Sequence, residues 1–341
     1  MAIDGSDGAR VNRVLTTTLD RYSAKISNEL ARNDGVIGVL GAKGRIKVVD
    51  GGERAIETLD VSENSNFAFR SAYSDVPTNR QDSRRQAKYA WATIDGSVVL
   101  NDVEAAMNSG SSKIYDLMEA EVNNAYVTMK RQIADALRAA TPGDTDPESV
   151  LSIVEDNDQA SQTGSPGGID KSTSTYWRNQ YSNTSMDLSA STGWESLLAF
   201  YLQSCSKGTG LDDQPDFGLT NGTLFAALAA GAGDANRRYL GADQDMLKLG
   251  FSNIKIMNAS VICDVSVASG DVYFLNTKYL GIQVLRTPSI KTIGTNPQTL
   301  PISVRPFMTD PKSLHSVALM YSTFALTCAS CQRQGIASNC S

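Results

Sequence analysis

Histidine is almost missing from this chain: His315 is the single one among 341 residues. That scarcity removes most histidine-based acid–base catalysis and most histidine-ligated zinc chemistry at once. A basic excess is missing too. Lys and Arg number 31 against 37 Asp and Glu, a net charge of −6. A protein that grips nucleic acid presents a basic face that releases counterions from phosphate; an acidic wall can only enclose a packed polyanion without holding it. No run approaches 18 uninterrupted apolar residues, so no membrane span is expected. The opening MAIDGSDGARVNR lacks an apolar core and does not read as a secretory signal. A cytosol-like compartment of synthesis is therefore expected, and the five cysteines (Cys205, Cys263, Cys328, Cys331 and Cys340) fit a reduced chain with small buried thiols.

What is present is ordinary globular material, 41% apolar and 20% charged. Val11, Leu15, Leu19, Tyr22, Ile26 and Leu30 fall at helical spacing and predict an amphipathic helix over 11–33, ended by Asp34-Gly35 and placed to act as an arm. Two alternating runs flank Asp50-Gly51-Gly52, a hairpin turn signal. Residues 64–95 hold two aromatic, strand-like runs, NFAFRSAY and AKYAWATIDG, around a polar tip with Arg80, Arg84 and Arg85. Such a ribbon has no core of its own and is marginal in water without outside support.

The clearest element is a helix over 112–140. Ile114, Leu117, Met118, Val122, Ala125, Met129, Ile133 and Leu137 mark one face, and Thr141-Pro142-Gly143 stops it. At 1.5 Å per residue it is roughly 40 Å long. Asp146 and Pro147 suggest the start of a further helix. Residues 156–175 form a polar Gly/Ser/Thr stretch that reads as the best internal boundary. Two shorter helices follow, one after a Thr192–Glu195 capping box and one over 222–230. From Phe251 onward the pattern is strand-like, ending in the apolar run SVALMYSTFALTC. Helices and strands segregate without βαβ repetition, so the class is α+β.

No catalytic, cofactor or metal constellation presents itself. Cys328-Ala-Ser-Cys331, with Cys340 and His315, invites a zinc reading, but residues three apart on a strand point to opposite faces, and no second CxxC exists. Asp144 to Glu155 faintly echoes a calcium loop, with Ser149 where the turn needs glycine. Gly38, Gly41 and Gly44 have the wrong spacing for a dinucleotide loop and read as hinges. Asp212-Asp213 reads as solvated loop charge, and Trp177-Arg178 as a packed anchor. The remaining candidates are contact residues: Arg80, Arg84 and Arg85, with Asp82 interleaved and Trp91 beyond, expected to pair with acids on a neighbouring copy.

An arm, an extended charged ribbon, a long helix and a second lobe describe a part meant to interlock. The sequence itself resembles the major capsid proteins of tailed bacteriophages, with the Hong Kong 97 type fold. Gly44–Glu53, Ser62–Phe67, Gly167-Gly168-Ile169 with Tyr176–Asn179, Leu249-Gly250-Phe251 with Val272–Leu280, and Cys331–Ile336 carry the likeness in order over about residues 10–337. The resemblance implies an N-terminal arm (1–35), a hairpin and extended loop (36–98), a peripheral domain with a spine helix (99–190), an axial domain (191–285) and return strands completing the peripheral domain (286–341). It also implies self-assembly into hexamers and pentamers of an icosahedral shell around double-stranded DNA, in a virion assembled in a bacterial host. A separate scaffolding protein, a portal and in some cases a decoration protein would be the partners, with no cofactor. Some relatives join subunits by a Lys–Asn isopeptide bond, but lysines such as Lys88 match no reacting pair here, so no crosslink is expected. Two other readings stand beside it: an encapsulin-like bacterial nanocompartment, which shares the fold, and a cytosolic enzyme of unrecognised type.

Overall fold

In a computed structural model of the chain, the structure describes residues 35–71, 74–101, 111–202, 213–231, 240–241, 253–286, 291–293, 301–305, 308–309 and 315–341. The expected N-terminal helix lies outside the described residues. Helix α1 (Gly35–Ala42) leads into β1 (Ile46–Val49), and β2 (Ala55–Asp60) and β3 (Arg84–Tyr89) flank an excursion over 61–83. Strand β4 (Ala92–Asn101) precedes the long helix α2 (Ser111–Leu137) and the single turn α3 (Val150–Ile153). Then come β5 (Gln180–Ser182), α4 (Ser191–Phe200), β6 (Phe217–Thr220), α5 (Gly222–Gly231) and β7 (Leu240–Gly241). The remainder is extended: β8 (Asn253–Ile256), β9 (Ala259–Cys263), β10 (Val272–Leu275), β11 (Leu280–Leu285), β12 (Lys291–Ile293), β13 (Ile302–Val304), β14 (Met308–Thr309), β15 (His315–Cys328) and β16 (Gly335–Ala337).

Two seven-stranded sheets result. The first runs β1-β11-β15-β13-β12, with β4 and β14 also on β15. The second runs β5-β16-β10-β6-β9-β8-β7, so β16 is an interior strand, parallel to β5 and antiparallel to β10. Helix α2 packs on β4 through Val122, Met129, Ile133 and Leu137 of the stripe the sequence predicts, joined by Tyr126 from outside it. The second sheet is covered on both faces. Along β10, Val272 and Phe274 join Trp194, Leu197 and Phe200 of α4 and Leu224 and Leu228 of α5. Tyr273 and Leu275, pointing the other way, join the core of the first sheet. Period-two alternation between two apolar neighbourhoods is why these strands read as continuous apolar runs.

Several local expectations give way to long-range packing. No hairpin forms across Asp50-Gly51-Gly52: β1 pairs in parallel with β11, Ile46 opposite Ile282, while β2 pairs with β3. Gly51 and Gly52 still take positive φ, 81° and 115°, and redirect the chain between sheets. Pairing with β11 puts Ile46 in the core, which a local hairpin would not do. The run NFAFRSAY forms no strand over its described residues. Helix α2 ends at Leu137, a few residues before Thr141. Asp146 does not cap; its Oδ2 accepts from the Gly143 N–H, and Ser149 caps α3 in a reciprocal box with Ser152. Helix α4 begins at Ser191 after Ala190 without a side-chain cap, and Thr192 lies inside it. Gly193 is demanded there by packing, since a Cβ would sit 1.9 Å from the Asp187 carbonyl oxygen. Gly38 and Gly41 are no hinge: both lie inside the buried helix α1.

The polar stretch 156–175 is built into the structure instead of linking two parts. Lys171 is fully buried; its Nζ donates to Ile153 O (2.8 Å) and Asn179 Oδ1 (3.0 Å) and pairs with Glu155 Oε1 at 2.9 Å. The Glu155 carboxylate also accepts from the Thr163 and Gly164 N–H groups. Trp177, buried as expected of an anchor, donates to Pro166 O at 2.9 Å. Removing one partner of a buried ion pair strands the other charge, at a cost of about 3–5 kcal/mol. Lys171→Met should therefore lower the unfolding free energy by that order, read as a lower denaturant midpoint at unchanged slope; an unchanged midpoint would show that the knot contributes nothing.

Candidate assembly surface

The ribbon of β2 and β3 is anchored at its root and bare beyond it. Ala55, Leu59, Ala87 and Tyr89 are buried in the main core. The Tyr89 hydroxyl donates to Cys328 O at 2.8 Å. Glu57 Oε1 accepts from Gln283 Nε2 (2.7 Å) and Thr327 Oγ1 (3.1 Å), tying β2 to β11 and β15. From below, Gly167 touches the root so closely that a Cβ would lie 2.8 Å from that of Ala87 and 2.9 Å from the Tyr89 ring. Part of the support that the ribbon needs thus comes from its own chain. Past the root the support ends: no described residue from 61 to 83 is buried.

Four of the five contact residues expected from sequence, Arg80, Asp82, Arg84 and Arg85, fall together where β3 begins. Arg84 Nε meets Asp60 Oδ1 at 3.2 Å and Arg85 Nη1 meets Asp82 Oδ2 at 2.8 Å, all four side chains being exposed. The Arg85 hydrogen bond and charge hold the Asp82 carboxyl below its usual range. Trp91 stands apart at the root, half-buried, its Nε1 donating to Gly52 O at 2.9 Å.

The residues that sequence reading passed over are apolar. Phe67, Phe69 and Val76 are 84%, 110% and 73% exposed. Covering each is worth roughly 1.5–3 kcal/mol, whereas exposed ion pairs such as Arg84–Asp60 contribute about 0–1 kcal/mol. The apolar trio, not the arginines, holds the larger unused binding energy of the tip. The signal was available in NFAFRSAY, but the aromatic spacing was assigned to a strand.

A second cluster locks the two sheets together where the chain crosses from β10 to β11. Asp213, expected in a solvated loop, is buried: Lys278 Nζ lies 3.1 Å away, Arg333 Nη1 3.0 Å, and the Tyr279 hydroxyl donates at 2.7 Å. Asp216 accepts from the Thr277 N–H (2.8 Å) and hydroxyl and pairs with Lys43 after α1. The Asn276 N–H donates to Gln334 Oε1 (2.8 Å), its carbonyl accepts from Gln334 Nε2, and its Nδ2 donates to Asp213 O. Among the described residues no group of three or more His, Cys, Asp or Glu could hold a metal ion. The CxxC does not splay, however: the chain leaves β15 after Cys328, Cys331 opens a tight helical turn, and the two buried sulfurs meet at 4.0 Å. Burial pushes the Cys331 thiol well up, so it is held as an inert thiol. Nor do the acids after Asp144 converge as a calcium loop would require, since Glu155 turns to Lys171 and Asp146 to Gly143.

Burial pushes the Asp213 carboxyl up, but Tyr279, Lys278 and Arg333 outweigh it and leave it below the usual carboxylate range. A depressed native value contributes stability above pH about 4 that is lost as the pH falls through it. Asp213→Asn should therefore lower thermal stability at pH 7, by about 1–3 kcal/mol, with the deficit shrinking below pH about 4. A deficit independent of pH would mean that the charge is not what matters.

No family model matches the chain, and no curated protein does. Solved structures do. The cyanophage A-1(L) capsid asymmetric unit aligns with a TM-score of 0.62 at 14% identity, over 88% of this chain and 92% of that one. The capsid of the native GTA particle aligns at 0.54 and 14% identity, over 88% and 90%. The holo-SrpI encapsulin complex from Synechococcus elongatus PCC 7942 aligns at 0.49 and 14% identity, over 87% and 85%. Identities this low speak to architecture alone. In that respect the expectation from sequence stands: the chain has the fold of tailed-phage capsid subunits, the Hong Kong 97 type.

Proposed function

We propose that this chain is a major capsid protein, a structural subunit and not an enzyme, which closes into an icosahedral shell of hexamers and pentamers around packaged double-stranded DNA. The observation that carries the reading is the ribbon: its root is welded into the core, while its tip holds Phe67, Phe69 and Val76 in solvent. An element built this way is completed by another molecule, and in a closed ring of identical copies every tip finds the same acceptor. In this reading residues 1–35 act as the arm, 36–98 as hairpin and extended loop, 99–190 with 286–341 as the peripheral domain and 191–285 as the axial domain. Arg80, Asp82, Arg84, Arg85 and Trp91 belong to or brace the contact surface.

The net charge of −6 suits a wall that encloses DNA without gripping it. Each contact can be weak, because contacts repeated around a closed shell reinforce one another through effective concentration. A separate scaffolding protein, a portal and, where present, a decoration protein would be the partners, and the virion the place of work. The competing reading keeps the shell and changes the contents to a cargo protein, as in an encapsulin-like compartment. The ordered likeness through Asn276–Leu280 and the arginine-bearing tip favour the phage reading.

Light scattering and negative-stain microscopy on the expressed chain test this. Closed particles or rings of five and six copies are expected, and contents that nuclease digests only after the particles are opened separate DNA from cargo. A 36.5 kDa monomer that persists with a co-expressed scaffold would overturn the shell. Arg84→Glu with Arg85→Glu should impair particle formation while leaving the subunit folded, since only exposed pairs within the ribbon are lost; normal particles would remove these arginines from the contact.

A further inference from the structure

A small pocket of about 50 Å³ lies at the foot of the ribbon. Its floor is the face of β1, β11 and β15 opposite to Ile46, Ile282 and Leu326, where Lys47 stands beside Gln283 and Gly281 beside Thr327. Glu57 closes it from the ribbon, Lys278 from the crossing between β10 and β11, and Arg45 from the residue before β1. Gly281 keeps the space open: a Cβ there would lie 3.2 Å from the Arg45 carbonyl oxygen and 3.7 Å from Thr327 Oγ1. One water needs about 10–15 Å³, so the pocket has room for several waters or one tetrahedral oxyanion.

Charge in this pocket is out of balance, with Arg45, Lys47 and Lys278 set against the single carboxylate of Glu57. That carboxylate is already engaged on one side, Oε1 accepting from Gln283 Nε2 at 2.7 Å and Thr327 Oγ1 at 3.1 Å. Lys278 is shared with Asp213 Oδ1, 3.1 Å away. The Arg45 and Lys47 side chains have no partner among the described residues, and Arg45 Nε is buried with no acceptor. An exposed lysine needs no partner, but a buried guanidinium donor without one is costly. An arginine fork beside ammonium groups, in a space too small for a nucleotide, is the donor set that a compact oxyanion satisfies.

We infer that this pocket binds a free inorganic oxyanion, hydrogen phosphate, with Arg45 and Lys47 as its main ligands and Lys278 as a third, more exposed cation. Glu57 sets the choice of anion. A carboxylate repels a fully ionised guest such as sulfate, whereas hydrogen phosphate carries a P–OH that can donate to it. The bound anion ties β1 to the crossing after β10 and braces the ribbon root that Glu57 already fixes to β11 and β15. The site is complete within one chain, so the inference stands apart from the shell reading.

The test is calorimetric titration of inorganic phosphate into the full chain at constant ionic strength, with the unfolding temperature as a second readout. A single saturable site per chain is expected, with an unfolding temperature that rises with phosphate and much weaker binding of sulfate. Arg45→Gln and Lys47→Gln should each weaken phosphate binding about tenfold or more. Lys47→Gln, at an exposed position, should leave the phosphate-free unfolding temperature unchanged and so separates lost binding from lost folding. No saturable site, or a site whose affinity neither variant changes, would overturn the inference, and equal affinity for sulfate would overturn the part given to Glu57. A short single-stranded oligonucleotide that displaces phosphate at lower concentration would assign the pocket to a nucleic-acid backbone and overturn the free anion.

Discussion

Strand β15 is the constraint on which the other parts of the molecule lean. Its fourteen residues pair with β4 along one edge and with β11, β13 and β14 along the other. Through β4 it positions α2, through β11 it fixes the crossing into the second sheet, and at its end Cys328 receives the Tyr89 hydroxyl that anchors the ribbon. A sheet with one face in the core cannot shift register by one residue without exchanging its core and solvent positions throughout. The ribbon root, the long helix and the second sheet are therefore held in one fixed relation.

Rigidity at the root and exposure at the tip are complementary. An ordered platform means that little conformational entropy is lost when the tip meets a partner, so a modest apolar contact suffices. The Asp213 cluster plays the same part between the two sheets, where Asn276 to Tyr279 gather groups from segments far apart in sequence. That short crossing was the most specific part of the sequence likeness, and the structure supplies a physical reason for its residue types: one asparagine, one threonine, one lysine and one tyrosine each satisfy a named partner across the junction.

Elements whose stability is local could be read from the sequence. The apolar stripe of α2 declared itself because positions three and four apart face the same core, and the strands after Asn253 did so through β-branched alternation. Where the sequence misled, distant partners decided. Asp50-Gly51-Gly52 has turn chemistry, yet β11, more than 200 residues away, offers Ile46 a core that β2 does not. Residues 156–175 look like a linker by composition, and only the arrival of Lys171 beside Glu155 and Asn179 makes them structural. Asp213 looks solvated until Arg333 comes to it from the far end of the chain. The ribbon's existence was legible; its exposed apolar residues were not, because aromatic spacing alone does not separate a strand from an exposed loop.

The interior place of β16 in the second sheet has a consequence for biosynthesis. Residues 335–337 lie between β5 and β10, so the sheet has a gap until they are made. At roughly 5–20 residues per second, about 150 residues of synthesis separate β5 from the strand that seals it, a wait on the order of ten to thirty seconds. During that time β5 has an open edge, and so does β10 once it is made, the form of backbone most prone to pairing with a stranger. A chain interrupted before residue 335 never seals this sheet. Synthesis of residues 335–337 is thereby a condition for the finished sheet, written into strand order.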